Sequence, residues 1–160
     1  MTIMFISFKE DGKLAKMLAA THGQTAVLAE QGWYAAGEMK VRIPGKIDTT
    51  CYVVANIWEC PMFLMRVIFL ANGLRLAGAK ELILVAPWIA YGRQDKSVHG
   101  ETPAGLEVAR LLCRSFDSIL TLDAHSPEFR SAFKRKLVKV MTGSRDLPAN
   151  MKGIQVVVAP

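Results

Sequence analysis

Two short segments concentrate side chains that could handle phosphate. Tyr91-Gly-Arg-Gln-Asp-Lys96 places an aromatic ring, a guanidinium, an amide, a carboxylate and an ammonium next to one another. An arginine fork matches phosphate oxygens two at a time, the amide adds hydrogen-bond selectivity, and the ring offers a stacking face, so a nucleotide would be well served. The plain alternative is a solvated loop whose Arg93–Asp95 pair holds a turn. Asp123-Ala-His-Ser-Pro127 sets a carboxylate and an imidazole two residues apart, able to aim at one cation or one phosphate if the chain turns at Pro127. For His125 the plain alternative is a hydrogen-bonded structural histidine. His22 and His99 lack any comparable setting and are assigned to surface or packing.

Positioning such loops requires a frame. Apolar runs rich in Ile, Val and Leu recur at Ile3–Phe8, Thr25–Leu28, Met39–Ile43, Cys51–Ala55, Leu82–Ala86, Ile119–Leu122, Leu137–Met141 and Gln155–Ala159. They alternate with segments of helical spacing, the mark of an α/β fold with a mainly parallel sheet. Several runs are apolar at every position, as strands covered by helices on both faces must be, which predicts three layers. Asp11 is a candidate cap for a helix carrying Leu14, Met17 and Leu18. A long apolar helix runs from Pro61 to about Ala77, expected to be buried nearly all round, with Gly78 as its stop. Pro103 suits the first turn of a third helix, to Arg114, with Thr102 as its cap. Ligands of open parallel sheets bind beyond the carboxyl ends of the strands. The two segments, each following a strand, should therefore open on one crevice.

Composition narrows the classes. At 160 residues and 51% hydrophobic, the chain is long enough for one domain with a core of its own. The +6 charge suits an anionic partner without naming it. Cys51, Cys60 and Cys113 form no C-x-x-C pair, which points to reduced thiols and a cytoplasmic setting. No run reaches the ~18 apolar residues of a membrane span, and the start lacks the features of a signal peptide. Neither a Gly-x-Gly-x-x-Gly after the first strand nor a Gly-x-x-x-x-Gly-Lys-Ser/Thr occurs, so dinucleotide oxidoreductase and P-loop readings lose their phosphate cradles. The basic residues Arg130, Lys134, Arg135, Lys136 and Lys139 read as a solvated helix face, so no nucleic-acid partner is expected on this ground. Trp33, Trp58 and Trp88 are too scattered for a base-stacking platform and are expected in core or interface, as are Met62, Phe63 and Met65.

Taken together, Tyr91–Lys96 after a strand ending Ala86-Pro87, Gly100-Glu-Thr-Pro103 opening a helix, and Leu120-Thr-Leu-Asp-Ala-His-Ser-Pro127 resemble the ribose-phosphate pyrophosphokinase family, the phosphoribosyl pyrophosphate synthases. Gly37-Glu38-Met-Lys-Val-Arg-Ile43 and Ala71–Ala79 extend the resemblance over nearly the whole chain. It implies a phosphoribosyltransferase-like fold and a Mg2+-dependent transfer of the diphosphoryl group of ATP to ribose 5-phosphate. It further implies that Arg93 and Gln94 bind ATP, that Tyr34 and Glu38 address the adenine from a neighbouring subunit of a homo-oligomer, and that His125 meets the magnesium–phosphate complex. Asp95 and Asp123 would then fix the loops.

Three departures accompany the resemblance. Ala36 stands where the family has Asp or Asn before Gly-Glu, and Glu59-Cys-Pro-Met-Phe63 replaces its Asn-Asp-Asn segment. The family's second half is absent: residues 1–150 form the amino-terminal domain, and 151–160 read as the first strand of a second domain. No catalytic residue is assigned, and no activity is expected from these 160 residues alone. The alternative function is a non-catalytic subunit that regulates or assembles with an active synthase.

Overall fold

The computed structural model describes residues 3–58, 61–122 and 124–139. Its strands are β1 (Ile3–Ser7), β2 (Ala26–Leu28), β3 (Glu30–Trp33), β4 (Met39–Arg42), β5 (Thr50–Val54), β6 (Glu81–Val85), β7 (Ser118–Thr121) and β8 (Leu137–Lys139). Its α-helices are α1 (Gly12–Ala20), α2 (Pro61–Leu76), α3 (Ala104–Ser115) and α4 (Pro127–Ala132). Six strands form one sheet in the order β2-β1-β5-β6-β7-β8, and every neighbouring pair is parallel. The chain first moves outward from β1 to β2, then returns to the other side of β1 and continues through β5 to β8. The order therefore reverses between β1 and β5, where a crevice beyond the strand ends is the usual expectation, whereas the cavity described below lies beyond the ends of β6 and β7.

The central strands are apolar on both faces, and each face has its own cover. Ile6, Val53, Leu84 and Ile119 point into the larger core, with Leu70 and Leu74 of α2, Leu112 of α3 and Phe129 of α4. Phe5, Tyr52, Val54 and Ile83 point the other way, against Ala15, Leu18 and Ala19 of α1. Phe5 and Tyr52 stack at 4.9 Å between ring centroids. Truncating a fully buried leucine such as Leu74 or Leu84 would cost about 2–5 kcal/mol. The three-layer reading holds. None of the described helices is long and apolar enough to cross a membrane.

Several local expectations are corrected. The segment Met39–Arg42 does not join the main sheet. It pairs antiparallel with β3 in a separate two-stranded ribbon, its Val41 packing on the core beneath α2. Asp11 occupies the residue before α1, but its side chain makes no capping bond and turns to Asn56 instead. Pro103, not Thr102, is the residue before α3, and the helix begins at Ala104, with no side-chain cap. α2 is not buried all round: Met62, Met65, Phe69 and Leu76 are exposed along one side. Gly78 does stop it, at φ +107°, a left-handed conformation that glycine adopts at little cost. Trp33, Trp58 and Trp88 are exposed rather than core. The basic run is not one helix face either, because α4 ends at Ala132 and Lys134–Lys136 form a 3-10 turn. There Lys136 donates to the carbonyls of Cys113 and Phe116, at 2.8 and 2.9 Å, closing the end of α3. His22 packs on Phe5, as expected of a packing residue. Asp123, the end of the Leu137–Met141 run, the Gln155–Ala159 run and the 150/151 boundary lie outside the described residues.

Candidate functional site

The loop that follows β6 is tied down at each step. Ala86 N–H donates to the Leu120 carbonyl at 2.8 Å, keeping β6 and β7 together past the last ladder pair. Ile57 and Ile89 form a parallel bridge, with Ile57 N–H on the Trp88 carbonyl and Ala90 N–H on the Ile57 carbonyl. Trp88 N–H donates to Asn56 Oδ1 at 2.9 Å. The loop then turns at Tyr91, whose φ of +66° is left-handed, and Gln94 N–H closes the turn on the Tyr91 carbonyl. Gly105, in the first turn of α3, donates its N–H to the Gln94 carbonyl at 2.9 Å. A Cβ there would fall 2.9 Å from Gln94 O and nearer still to Tyr91 O, so the helix can dock on this loop only through glycine.

The loop after β7 meets the first one at Gly92. A Cβ added to Gly92 would lie 3.1 Å from His125 Cβ and 3.4 Å from the Phe129 ring. Ser126 caps α4 by accepting the Phe129 N–H at 3.0 Å. The Ser126 hydroxyl beside Asp95 holds that carboxyl below its ordinary range, and Lys96 and His125 lower it further. Lys96 Nζ also pairs with Glu128 at 3.2 Å, a second link between the loops. The two segments therefore converge, as the rule for open parallel sheets predicts.

Between them lies a cavity of about 530 Å3 lined by Trp88, Tyr91, Arg93, Gln94 and His125 among others. Arg93 and Gln94 also border an adjoining hollow of about 550 Å3 running toward Glu101 and Thr102. Both side chains are exposed, and neither the Arg93 guanidinium nor the Gln94 amide has a hydrogen-bond or ion-pair partner among the described residues. An unpaired guanidinium over a cavity with an imidazole at its wall can bind a phosphate bidentately. Tyr34 and Glu38 do not line this cavity. They stand exposed at the tip of the β3–β4 ribbon, where Tyr34 N–H donates to the Glu38 carbonyl at 2.9 Å and Lys40 lies over the Tyr34 ring. Among the described residues no three metal-ligating side chains cluster. A magnesium ion carried by nucleotide phosphates needs few protein ligands, and the ionised Asp95 beside His125 fits that modest demand. Sequence reasoning passed over Asn56 and Gly105, and expected Trp88 in core or interface rather than at the cavity. Only Gly105 carried a signal, a glycine just inside a helix opened by Pro103.

An open, wholly parallel main sheet with a crevice built from post-strand loops places the chain among doubly wound α/β proteins. Residues 3–115 match the model of the N-terminal domain of ribose phosphate pyrophosphokinase, and the chain belongs to that family. It is 30% identical over 128 residues to the ribose-phosphate pyrophosphokinase of Methanopyrus kandleri, covering 78% of this chain and 44% of that protein. The Bacillus caldolyticus enzyme of that name is 28% identical over 125 residues, covering 76% and 40%. The chain thus spans less than half the length of these relatives. The phosphoribosylpyrophosphate synthetase of Mycobacterium smegmatis shares the fold, with a TM-score of 0.77 at 23% identity over 88% of this chain and 48% of that one.

Proposed function

We propose that this chain is the ATP-binding amino-terminal part of a ribose-phosphate diphosphokinase. In that reaction the 1-hydroxyl oxygen of ribose 5-phosphate attacks the β-phosphorus of ATP and releases its proton to solvent. The bond from that phosphorus to the α,β-bridging oxygen breaks, AMP leaves, and phosphoribosyl pyrophosphate is the product. Phosphoryl transfer of this kind depends on positioning and charge neutralisation, with little covalent help from protein. Magnesium, when bound with ATP, neutralises phosphate charge. Arg93 binds phosphate oxygens, Gln94 orients the nucleotide, and His125 faces the metal–phosphate complex. The observation that carries this reading is the single cavity shared by Arg93, Gln94 and His125, with the first two side chains unpartnered among the described residues.

Tyr34 and Glu38, which do not line that cavity and stand on an exposed ribbon tip, address the adenine of a neighbouring subunit in a homo-oligomer, in the cytoplasm. The exposed apolar side of α2 supports oligomerisation. The resemblance implies that the groups for ribose 5-phosphate lie in the part of the relatives that this chain does not match, and residues 1–160 by themselves are expected to bind nucleotide without turnover. The test is AMP formation from ATP and ribose 5-phosphate by a longer protein containing this domain. Turnover that collapses in Arg93→Ala supports the enzyme. AMP at background from a folded, full-length protein refutes it and favours the non-catalytic subunit to which Ala36 points.

A further inference from the structure

At the reversal point of the sheet a carboxylate is buried where no strand ladder requires one. Asp11, just past β1, is only 6% exposed. Its Oδ2 accepts the backbone N–H of Asn56 at 3.1 Å and its Oδ1 accepts Asn56 Nδ2 at 2.7 Å. Asn56 lies just past β5, and its Oδ1 accepts the Trp88 N–H, just past β6, at 2.9 Å. One chain of hydrogen bonds thus crosses the carboxyl ends of three adjacent strands and ends on the first residues of the loop bearing Arg93 and Gln94.

Burial pushes the Asp11 carboxyl up, against the Asn56 donors and the Arg66 guanidinium that favour its charged form. Arg66 itself lies between the rings of Phe8 and Phe63 and pairs with Glu10 at 3.1 Å. Burying a carboxylate costs free energy that hydrophobic residues of the same volume would not incur. What the pair supplies is direction: Asn56 can present Oδ1 to Trp88 only while Asp11 holds its Nδ2. Trp88 is half exposed and lines the cavity with Arg93 and His125, so a shift at its amide is passed to the residues above it.

We propose that Asp11 and Asn56 are positioning residues of the crevice, fixing the origin of the Trp88–Lys96 loop so that Arg93 and Gln94 stand beside His125. The effect on nucleotide rests on the reading given above; the effect on the loop does not. The test is amide hydrogen exchange, with magnesium–ATP titration, on the wild type, Asn56→Ala, Asp11→Asn and the exchanged pair Asp11→Asn with Asn56→Asp. The exchanged pair restores a donor facing an acceptor and an acceptor for the Trp88 N–H. Each single variant is expected to speed exchange at Trp88–Gln94 about tenfold or more, as loss of a buried hydrogen bond implies, while β1, β5 and β6 keep their protection. ATP affinity falls about tenfold in step, and the exchanged pair recovers both. Unchanged exchange in the loop, uniform acceleration through the sheet, or failure of the exchanged pair to recover the loop overturns the assignment. If the wild type does not bind ATP, the nucleotide reading fails, and the exchange pattern still decides the positioning role. Should Asn56→Ala not fold, Asp11→Asn carries the same comparison.

Discussion

Replacing Gly105 by alanine tests whether the first loop is held by the helix beneath it. The new Cβ would sit 2.9 Å from Gln94 O, 3.2 Å from Tyr91 C and closer still to Tyr91 O. Ordinary carbon contacts begin near 3.5 Å, so the loop would have to retreat by up to about an ångström. All three atoms are backbone, and Tyr91 is already at φ +66°, so no flexible side-chain tip can absorb the movement. Overpacking costs about 1–3 kcal/mol. Stretching the Gly105–Gln94 hydrogen bond adds about 1 kcal/mol. Removing a glycine from a helix returns at most about 1 kcal/mol, and less here because Gly105 lies in the first turn. The net expectation is a destabilisation of about 1–3 kcal/mol in urea unfolding followed by circular dichroism, with an unchanged denaturant slope. Phosphate or nucleotide binding through Arg93 should weaken by more than stability predicts, because the loop moves as a piece. A midpoint equal to or above the wild type would show that helix propensity prevails and that the loop does not rest on α3 as described.

Three further outcomes are expected. Ser126→Ala removes the α4 cap and the hydroxyl partner of Asp95. It should cost about 1 kcal/mol in the same unfolding assay, and an unchanged midpoint would deny the cap. Burial, with Asp48 nearby, pushes the Cys51 thiol up to about 11. At about pH 8 its alkylation in the native chain, read by peptide mass spectrometry, should be on the order of a hundredfold slower than in the unfolded chain, and equal rates would contradict that burial. Burial raises the Asp117 carboxyl, but the Leu82 amide at 2.8 Å and the Arg75 guanidinium outweigh it and leave it below its ordinary value. A lowered folded-state value stabilises above the unfolded carboxylate range and is lost as pH falls through the folded one. The stability gap between wild type and Asp117→Asn should therefore narrow on acidification from about pH 6 toward pH 3, and a gap that widens would reverse the assignment.

The parts of the fold legible in sequence were those where burial leaves a repetitive mark. Leu82–Ala86 is apolar at every position because α1 and α2 lie on opposite faces of the sheet, and its shortness and bounding turn residues set it apart from a buried helix. Strand β3 was missed because Glu30-Gln-Gly-Trp is mostly exposed and pairs only with β4, so no face of it is apolar. Core and interface could not be told apart along α2, because Met62, Met65 and Phe69 look the same in sequence whether this chain covers them or not. Convergence of the Arg93 and His125 loops followed from a rule about strand ends rather than from either segment alone. The Asp11–Asn56 pair was unreadable: 45 positions separate the two residues, and a lone aspartate before a helix points first to a cap.

The account depends most on the two post-strand loops acting on one bound anion, and a double-mutant cycle measures that directly. Magnesium–ATP affinity would be titrated calorimetrically for the wild type, Arg93→Ala, His125→Ala and the double variant. If both side chains address the same phosphate group, each single change weakens binding about tenfold or more and the double loses less than the product, with a coupling of about 0.5–3 kcal/mol. Strictly independent losses, or binding indifferent to either change, would contradict a shared site.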